Sequence, residues 1–126
     1  MRIEHVAMYV EDLEGAKNFF EKYFLASASK KYINSKNCFS SYFLSFDSGS
    51  RLEIMKKETI EKENLKEERL GLIHIAFSVG SKEKVNEITK RLVEDGYELK
   101  DGPRKTGDGY FESKFIIEDN IIEITI

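Results

Sequence analysis

The feature that most constrains this chain is an internal repeat. The segment IEHVAMYV around His5 recurs 69 residues later as LIHIAFSV around His74. The segment RLEIM around Glu53 recurs 70 residues later as IIEIT around Glu123. Two matches in the same order predict two copies of one module, because self-similarity at a nearly fixed offset is the signature of a repeated supersecondary unit. We therefore expect one domain, 1–126, made of module one (1–55), a charged linker (56–69) and module two (70–126).

Hydrophobic periodicity predicts the order βαβββ in each module. Ile3–Val10 and Leu72–Val79 have the composition of strands, and each precedes a candidate helix N-cap, Asp12 or Ser81. Apolar residues then recur at helical spacing, namely Ala16, Phe19, Phe20, Tyr23 and Phe24 in one copy and Val85, Ile88 and Leu92 in the other. Three strands should follow each helix, near 29–34, 38–47 and 51–56, and near 97–101, 109–117 and 121–126. The prediction is an α+β fold in which two tandem modules form a curved mixed sheet with a cup.

Strand alternation places four ligand-type side chains on one face of this sheet. Side chains alternate across a strand, so the uniformly apolar positions should face the helix. His5, Glu53, His74 and Glu123 then lie on the opposite face. Carboxylates brought together without a partner are costly, whereas a divalent cation relieves that cost and imidazole is its commonest ligand. The pattern favours a metal site over four unrelated structural residues.

Composition excludes several classes of protein. Twenty basic and 23 acidic residues give a net charge of −3, without the basic footprint of a nucleic-acid-binding protein. The apolar runs are only a few residues long, so no membrane-spanning helix is expected. The single cysteine, Cys38, rules out an internal disulfide framework. Together with acidic residues close to the first methionine, it favours the cytoplasm.

The residues quoted so far resemble those of the glyoxalase, bleomycin-resistance and extradiol-dioxygenase superfamily, also called vicinal oxygen chelate proteins. The order His-Glu-His-Glu is similar to that of glyoxalase I (lactoylglutathione lyase) and methylmalonyl-CoA epimerase. The resemblance implies paired βαβββ units around a metal whose ligands are His5, Glu53, His74 and Glu123. It also implies that Glu123 is the catalytic base and that Glu53 is a ligand and second proton carrier. The stretch GDGYFE, residues 107–112, is similar to a segment found before the last strands of many small members.

The function implied by this resemblance is that of a metal-dependent lyase or isomerase. Its substrate would be a small α-hydroxycarbonyl or hemithioacetal, handled through an enediolate that the ion stabilises as a Lewis acid. Zinc, nickel and cobalt suit two imidazoles and two carboxylates, in preference to iron. Tyr9 stands where many glutathione-using members have arginine, and Lys57 where they have asparagine, so glutathione does not follow from the resemblance. Tyr9, Lys57 and Tyr110 are the candidate substrate-binding residues.

Other functions remain open at the level of the sequence. A bleomycin-resistance-like protein could bind a planar molecule without metal, using aromatic residues such as Tyr9 and Tyr110. Epimerase-like and extradiol-dioxygenase-like chemistry are further alternatives, although the dioxygenase pattern of two histidines and one glutamate leaves Glu53 unused. Each module presents an open strand edge and an unfilled cup, so it should pair with another module. We expect a homodimer, because a chain of 126 residues with 9 Phe and 6 Tyr should have apolar surface left over. The modules could pair within one chain or by exchange with a second copy.

Overall fold

The structure is a computed structural model that describes residues 1–47, 49–60 and 70–126. The chain divides into two compact units, Met1–Glu63 and Asn64–Ile126, each with its own helix and sheet. Residues 61–69 of the predicted linker lie outside the described residues. No helix in the described ranges is long and apolar enough to cross a bilayer.

Unit one contains one helix and a mixed sheet. Its elements are β1 (His5–Tyr9), α1 (Leu13–Phe24), β2 (Ser27–Ala28), β3 (Tyr32–Asn34), a 3-10 turn (Ser35–Asn37), β4 (Phe39–Ser45) and β5 (Arg51–Lys57). The strand order is β1-β5-β4-β2, and β3 also pairs with β4. β1 is parallel to β5, whereas the pairings of β4 with β2, β3 and β5 are antiparallel.

Unit two repeats this plan with fewer strands. Its elements are β6 (Ile75–Ser78), α2 (Lys82–Glu94), β7 (Glu98–Lys105), β8 (Phe111–Ile117) and β9 (Asn120–Thr125). The order β6-β9-β8-β7, with β6 parallel to β9, matches the arrangement of β1, β5 and β4 in unit one. The predicted α+β class and the mixed pairing of the strands are confirmed.

Both helices begin at the predicted caps. Asp12 accepts a hydrogen bond from the Gly15 amide at 3.0 Å, and Ser81 accepts one from the Lys84 amide at 3.2 Å. These side chains satisfy amides that have no partner within the first helical turn. Most residues of the predicted stripes are buried, namely Ala16, Phe19, Phe20 and Tyr23 in α1, and Val85 and Leu92 in α2. Phe24 and Ile88, also predicted, are only half-buried. Each helix packs on its own sheet, α1 on β4 and β5, and α2 on β7, β8 and β9.

The predicted division of the strands into two faces is also confirmed. Met8 in β1 and both Leu52 and Ile54 in β5 are buried, whereas His5, Ala7 and Tyr9 are exposed. In β9, Ile122 and Ile124 are buried under α2, and Glu123 lies on the other face. This alternation orients the ligand-type residues away from the helices.

Two strands differ from the prediction. The expected strand at 29–34 is interrupted, because the Ser29 hydroxyl accepts the hydrogen bond of the Phe43 amide at 3.0 Å. A side chain has thereby replaced a backbone carbonyl, and the ladder splits into β2 and β3. The expected strand Leu72–Val79 is shorter, because the pairing of β6 with β9 starts at Ile75 and Ile122. His74 therefore lies one residue before β6.

A third difference lies at Gly102, where the sequence predicts a break. β7 continues through this point to Lys105, with register shifts on both sides of Asp101. Gly102 has φ +85°, and a Cβ there would lie 2.5 Å from the carbonyl oxygen of Glu112. Only glycine combines this conformation with so close a backbone approach, so a bulge replaces the break.

Candidate functional site

His5 is held by an ionic network at the start of β1. Its Nδ1 donates to Glu4 at 2.5 Å, and the other oxygen of that carboxylate accepts from Arg51 Nε at 2.8 Å. Arg51 lies 4.3 Å from the centre of the Phe43 ring, which meets the His5 ring edge-on at 5.3 Å. Hydrogen bonds from His5 and then Arg51 lower the pKa of Glu4. Because Nδ1 is committed to Glu4, Nε2 is the nitrogen that His5 offers to a ligand.

Glu53 occupies the middle of β5 on the same face of unit one. It is paired with Ala7 of β1 and Phe43 of β4. Ala7 is two residues from His5 on one strand, so His5 and Glu53 share a sheet face. Glu53 is half-buried, and within the part of the chain that the structure describes its carboxylate has no ionic or hydrogen-bonding partner. Unit one thus supplies an oriented imidazole and an uncommitted carboxylate.

Unit two brings its histidine and glutamate together. His74 Nε2 lies 3.3 Å from Glu123 Oε2. Glu123 is only 5% exposed and is paired with Ala76, as Glu53 is with Ala7. Two ligand atoms bound to a tetrahedral zinc ion at bond lengths near 2.0–2.1 Å are about 3.3 Å apart. The separation and the donor types of this pair therefore fit two ligands of one cation.

A residue that the sequence analysis missed, Lys114, completes this half of the site. Its Nζ lies 2.7 Å from Glu123 Oε1 and 3.5 Å from Glu112 Oε1. The hydrogen bond to Glu123 is the main reason why the pKa of Lys114 is raised. Glu112, which sequence alone could assign to the surface, is 8% exposed. Alternation along β8 puts Glu112 and Lys114 on one face. This signal could have placed both residues on the face opposite the helix, but it could not have shown that Lys114 lies opposite Glu123.

The four predicted ligands are distributed as two pairs, one per unit. His5 and Glu53 belong to unit one, and His74 and Glu123 to unit two. In the described ranges, no three side chains of histidine, cysteine, aspartate or glutamate are grouped closely enough to hold a metal ion. The assignment of all four to one cation stays a prediction.

The candidate substrate-binding residues lie in both units. Tyr9 ends β1 on the face of His5 and is 43% exposed. Lys57 ends β5, paired with Phe39 of β4. Tyr110 precedes β8 and is 51% exposed, and its carbonyl accepts a hydrogen bond from the Thr106 amide at 2.8 Å. Their role in binding stays a prediction.

Comparisons with known proteins give the same family as the sequence motifs. No curated protein matches the sequence. Among solved structures, a possible glyoxalase from Bacillus cereus is 27% identical, with a TM-score of 0.70 over 100% of this chain and 99% of that one. A mutant of the fosfomycin resistance protein FosX from Listeria monocytogenes, complexed with Mn(II) and 1S,2S-dihydroxypropylphosphonic acid, is 21% identical, with a TM-score of 0.73 over 97% and 89%. A glyoxalase I mutant from Zea mays is 16% identical, with a TM-score of 0.79 over 98% of this chain and 44% of that one.

The family assignment rests on the match over nearly the whole chain. The family called Glyoxalase/Bleomycin resistance protein/Dioxygenase superfamily matches residues 2–120. Its members include enzymes such as glyoxalase I and FosX. The chain belongs to the glyoxalase/bleomycin resistance protein/dioxygenase superfamily.

Proposed function

We propose that this chain is a metal-dependent lyase or isomerase related to glyoxalase I. Its ligands would be His5, Glu53, His74 and Glu123, and its substrate a small molecule with oxygens on adjacent carbons. The observation that carries the proposal is the 3.3 Å separation of His74 Nε2 and Glu123 Oε2, which suits a shared cation. The repeat-matched pair in unit one supports it, because His5 offers Nε2 and the Glu53 carboxylate has no partner among the described residues.

When bound, a divalent cation supplies a Lewis acid that stabilises negative charge on the substrate oxygens. The chain's own part is to hold the cation and to move a proton. Glu53 is the better placed proton carrier, because neither of its oxygens is committed within the described residues. Glu123, which the family resemblance implied as the base, is held by Lys114 and suits a fixed ligand. The proposal is therefore that Glu53 takes the proton from the carbon next to the carbonyl.

The test is metal content followed by proton exchange. The protein is stripped with chelator, reloaded separately with Zn(II), Ni(II), Co(II) or Mn(II), dialysed and subjected to elemental analysis. We expect one ion per chain in the wild type and strongly reduced content in His5→Ala and His74→Ala. A screen of α-hydroxycarbonyl compounds and hemithioacetals in deuterated water should then show metal-dependent deuterium incorporation. Full metal retention by both histidine variants would contradict the proposed ligands.

A second candidate is a metal-free protein that binds small molecules. The contact between Lys114 and Glu123 favours it, because a buried carboxylate that already has an ammonium partner needs no metal for neutralisation. Metal content separates the two candidates. A wild-type protein that stays metal-free after reloading, yet binds a planar ligand with micromolar affinity, would support this second function.

A further inference from the structure

Lys114 has a place in the sheet that has no counterpart in unit one. It stands directly opposite Glu123 in the pairing of β8 with β9. The residue opposite Glu53 in the corresponding pairing of β4 with β5 is Phe43. The two halves of the candidate site therefore have matching histidines and glutamates and different neighbours. One glutamate stands opposite an aromatic residue in the sheet, and the other stands opposite a lysine that contacts it.

Local packing fixes the direction of the Lys114 side chain. Ser113, its neighbour on β8, is fully buried against α2, where its hydroxyl contacts that of Thr89 at 2.6 Å. Because side chains alternate along a strand, Glu112 and Lys114 must point away from α2. That is the face of Glu123. The contact between Lys114 and Glu123 thus follows from the register of the sheet and the anchoring of Ser113.

The contact occupies only one oxygen of Glu123. Lys114 Nζ lies 2.7 Å from Oε1, whereas Oε2 is directed at His74 Nε2 at 3.3 Å. A carboxylate rotates readily unless one oxygen is held, and hydrogen-bonding partners of ligating carboxylates set their orientation. Holding Oε1 therefore leaves Oε2 as the ligand atom and disfavours chelation by both oxygens.

Glu112 balances the charge of Lys114. It is buried and its Oε1 lies 3.5 Å from the ammonium group. A lone ammonium beside a cation site would repel the cation, but the neutral pair of Glu112 and Lys114 does so much less. The pair can therefore orient Glu123 without opposing the charge that Glu123 is to bind.

We propose that Lys114, balanced by Glu112, is a positioning residue that fixes Glu123 for one-oxygen ligation of a cation shared with His74. This inference rests on the proposed metal function. It assigns a role to two residues beyond the ligand quartet, and it predicts that the two glutamate ligands differ in how firmly they are held.

The experiment measures Co(II) binding by isothermal titration calorimetry and by visible absorption. The variants are Lys114→Met, Lys114→Arg, Glu112→Gln and the matched control Lys105→Met. The control replaces Lys105, an exposed lysine on the neighbouring strand β7, by methionine and so makes the same change of charge and volume. Thermal unfolding of each variant shows that the protein compared is folded.

We expect Lys114→Met to bind Co(II) about ten- to a hundredfold more weakly than the control, as for other partners of metal ligands. Its cobalt absorption should also weaken, because the released oxygen of Glu123 raises the coordination number. Lys114→Arg should restore most of the lost affinity, and Glu112→Gln should cause a smaller loss in the same direction.

The remaining outcomes also decide the matter. Control-like or tighter binding by Lys114→Met would show that Lys114 is a bystander or competes with the cation. If Lys114→Met does not fold, control-like affinity in Glu112→Gln would overturn the proposal, and a loss there together with retained binding in Lys114→Arg would support it. A wild-type protein that binds no Co(II) would overturn the proposed function itself, and this inference with it.

Discussion

Replacing Gly102 by alanine should lower the free energy of unfolding, because the bulge at Gly102 packs against the backbone of Glu112. In Gly102→Ala, the new Cβ would lie 2.5 Å from the Glu112 carbonyl oxygen and 2.9 Å from the Ser113 Cα, both of them backbone atoms. The φ of +85° adds strain of about 1–3 kcal/mol for a residue with a Cβ. Forcing an extra methyl into packed surroundings adds about 1–3 kcal/mol. The sum, about 2–6 kcal/mol, is a large fraction of the typical stability of about 5–15 kcal/mol.

Substitutions at two nearby glycines, Gly107 and Gly109, distinguish the cost of backbone strain from the cost of the steric clash. Gly109 has φ +101°, and a Cβ added there would meet nothing within 4 Å, so Gly109→Ala should lose only the strain, about 1–3 kcal/mol. Gly107 has neither a clash nor a left-handed φ, and Gly107→Ala should stay within about 0.5 kcal/mol of the wild type. Urea unfolding measures the loss of stability in all three alanine variants. The dependence of the unfolding free energy on urea concentration should be the same in each variant. If Gly102→Ala lost no more than Gly109→Ala, the close approach of β7 to β8 would be refuted.

Three further predictions concern the site, the pH response and assembly. Glu53→Gln should weaken metal binding less than Glu123→Gln does, because Glu123 is the ligand held by Lys114, and at saturating metal Glu53→Gln should lose deuterium exchange into substrate; exchange retained in metal-loaded Glu53→Gln and lost in metal-loaded Glu123→Gln would make Glu123 the proton carrier. Lys31 and then Tyr42 donate hydrogen bonds that lower the pKa of Glu14, so their stabilisation is present above its ordinary pKa of 4.5 and is lost as pH falls through the lower folded value. Urea unfolding of wild type and Glu14→Gln should therefore differ near neutral pH and converge in acid; a constant difference would contradict this. We also propose a homodimer, and a monomer by light scattering at micromolar concentration would refute it.

The sequence predicted those parts of the structure that depend on local patterns. The caps Asp12 and Ser81 and the alternation around His5 and Glu53 are set by a few neighbouring residues, and each appears as expected. The replacement of a ladder bond by the Ser29 hydroxyl was not predictable, because it depends on Phe43 lying opposite. The periodicity of residues along one strand does not predict which residue of the neighbouring strand lies opposite.

The same reasoning explains why the candidate site was only partly predictable. The repeat aligns identical residues of the two modules, so duplication alone identified His5, Glu53, His74 and Glu123. Lys114 breaks the repeat, and a search for duplicated residues passes over it. Its contact with Glu123 depends on the register of β8 with β9, which only the structure supplies. Residues that make two copies of a module chemically different are therefore best sought after the fold is known.

We propose that the side chain at the end of β1 limits which thiol carrier the protein can use. Tyr9 stands on the His5 face and is 43% exposed, at the position where the family resemblance implies an arginine in many glutathione-using members. An arginine binds a carboxylate through two charged hydrogen bonds, whereas a phenol offers one neutral donor. Such a charged contact contributes about 1.5–3 kcal/mol, or roughly ten- to a hundredfold in affinity.

We therefore expect the metal-loaded protein to turn over the methylglyoxal–glutathione hemithioacetal weakly, and Tyr9→Arg to raise kcat/KM for this substrate about ten- to a hundredfold. The hemithioacetal of 2-mercaptoethanol, which has no carboxylate, is the matched control and should be unaffected by Tyr9→Arg. Efficient production of lactoylglutathione by the wild type at sub-millimolar substrate would show that the missing arginine does not determine the thiol carrier.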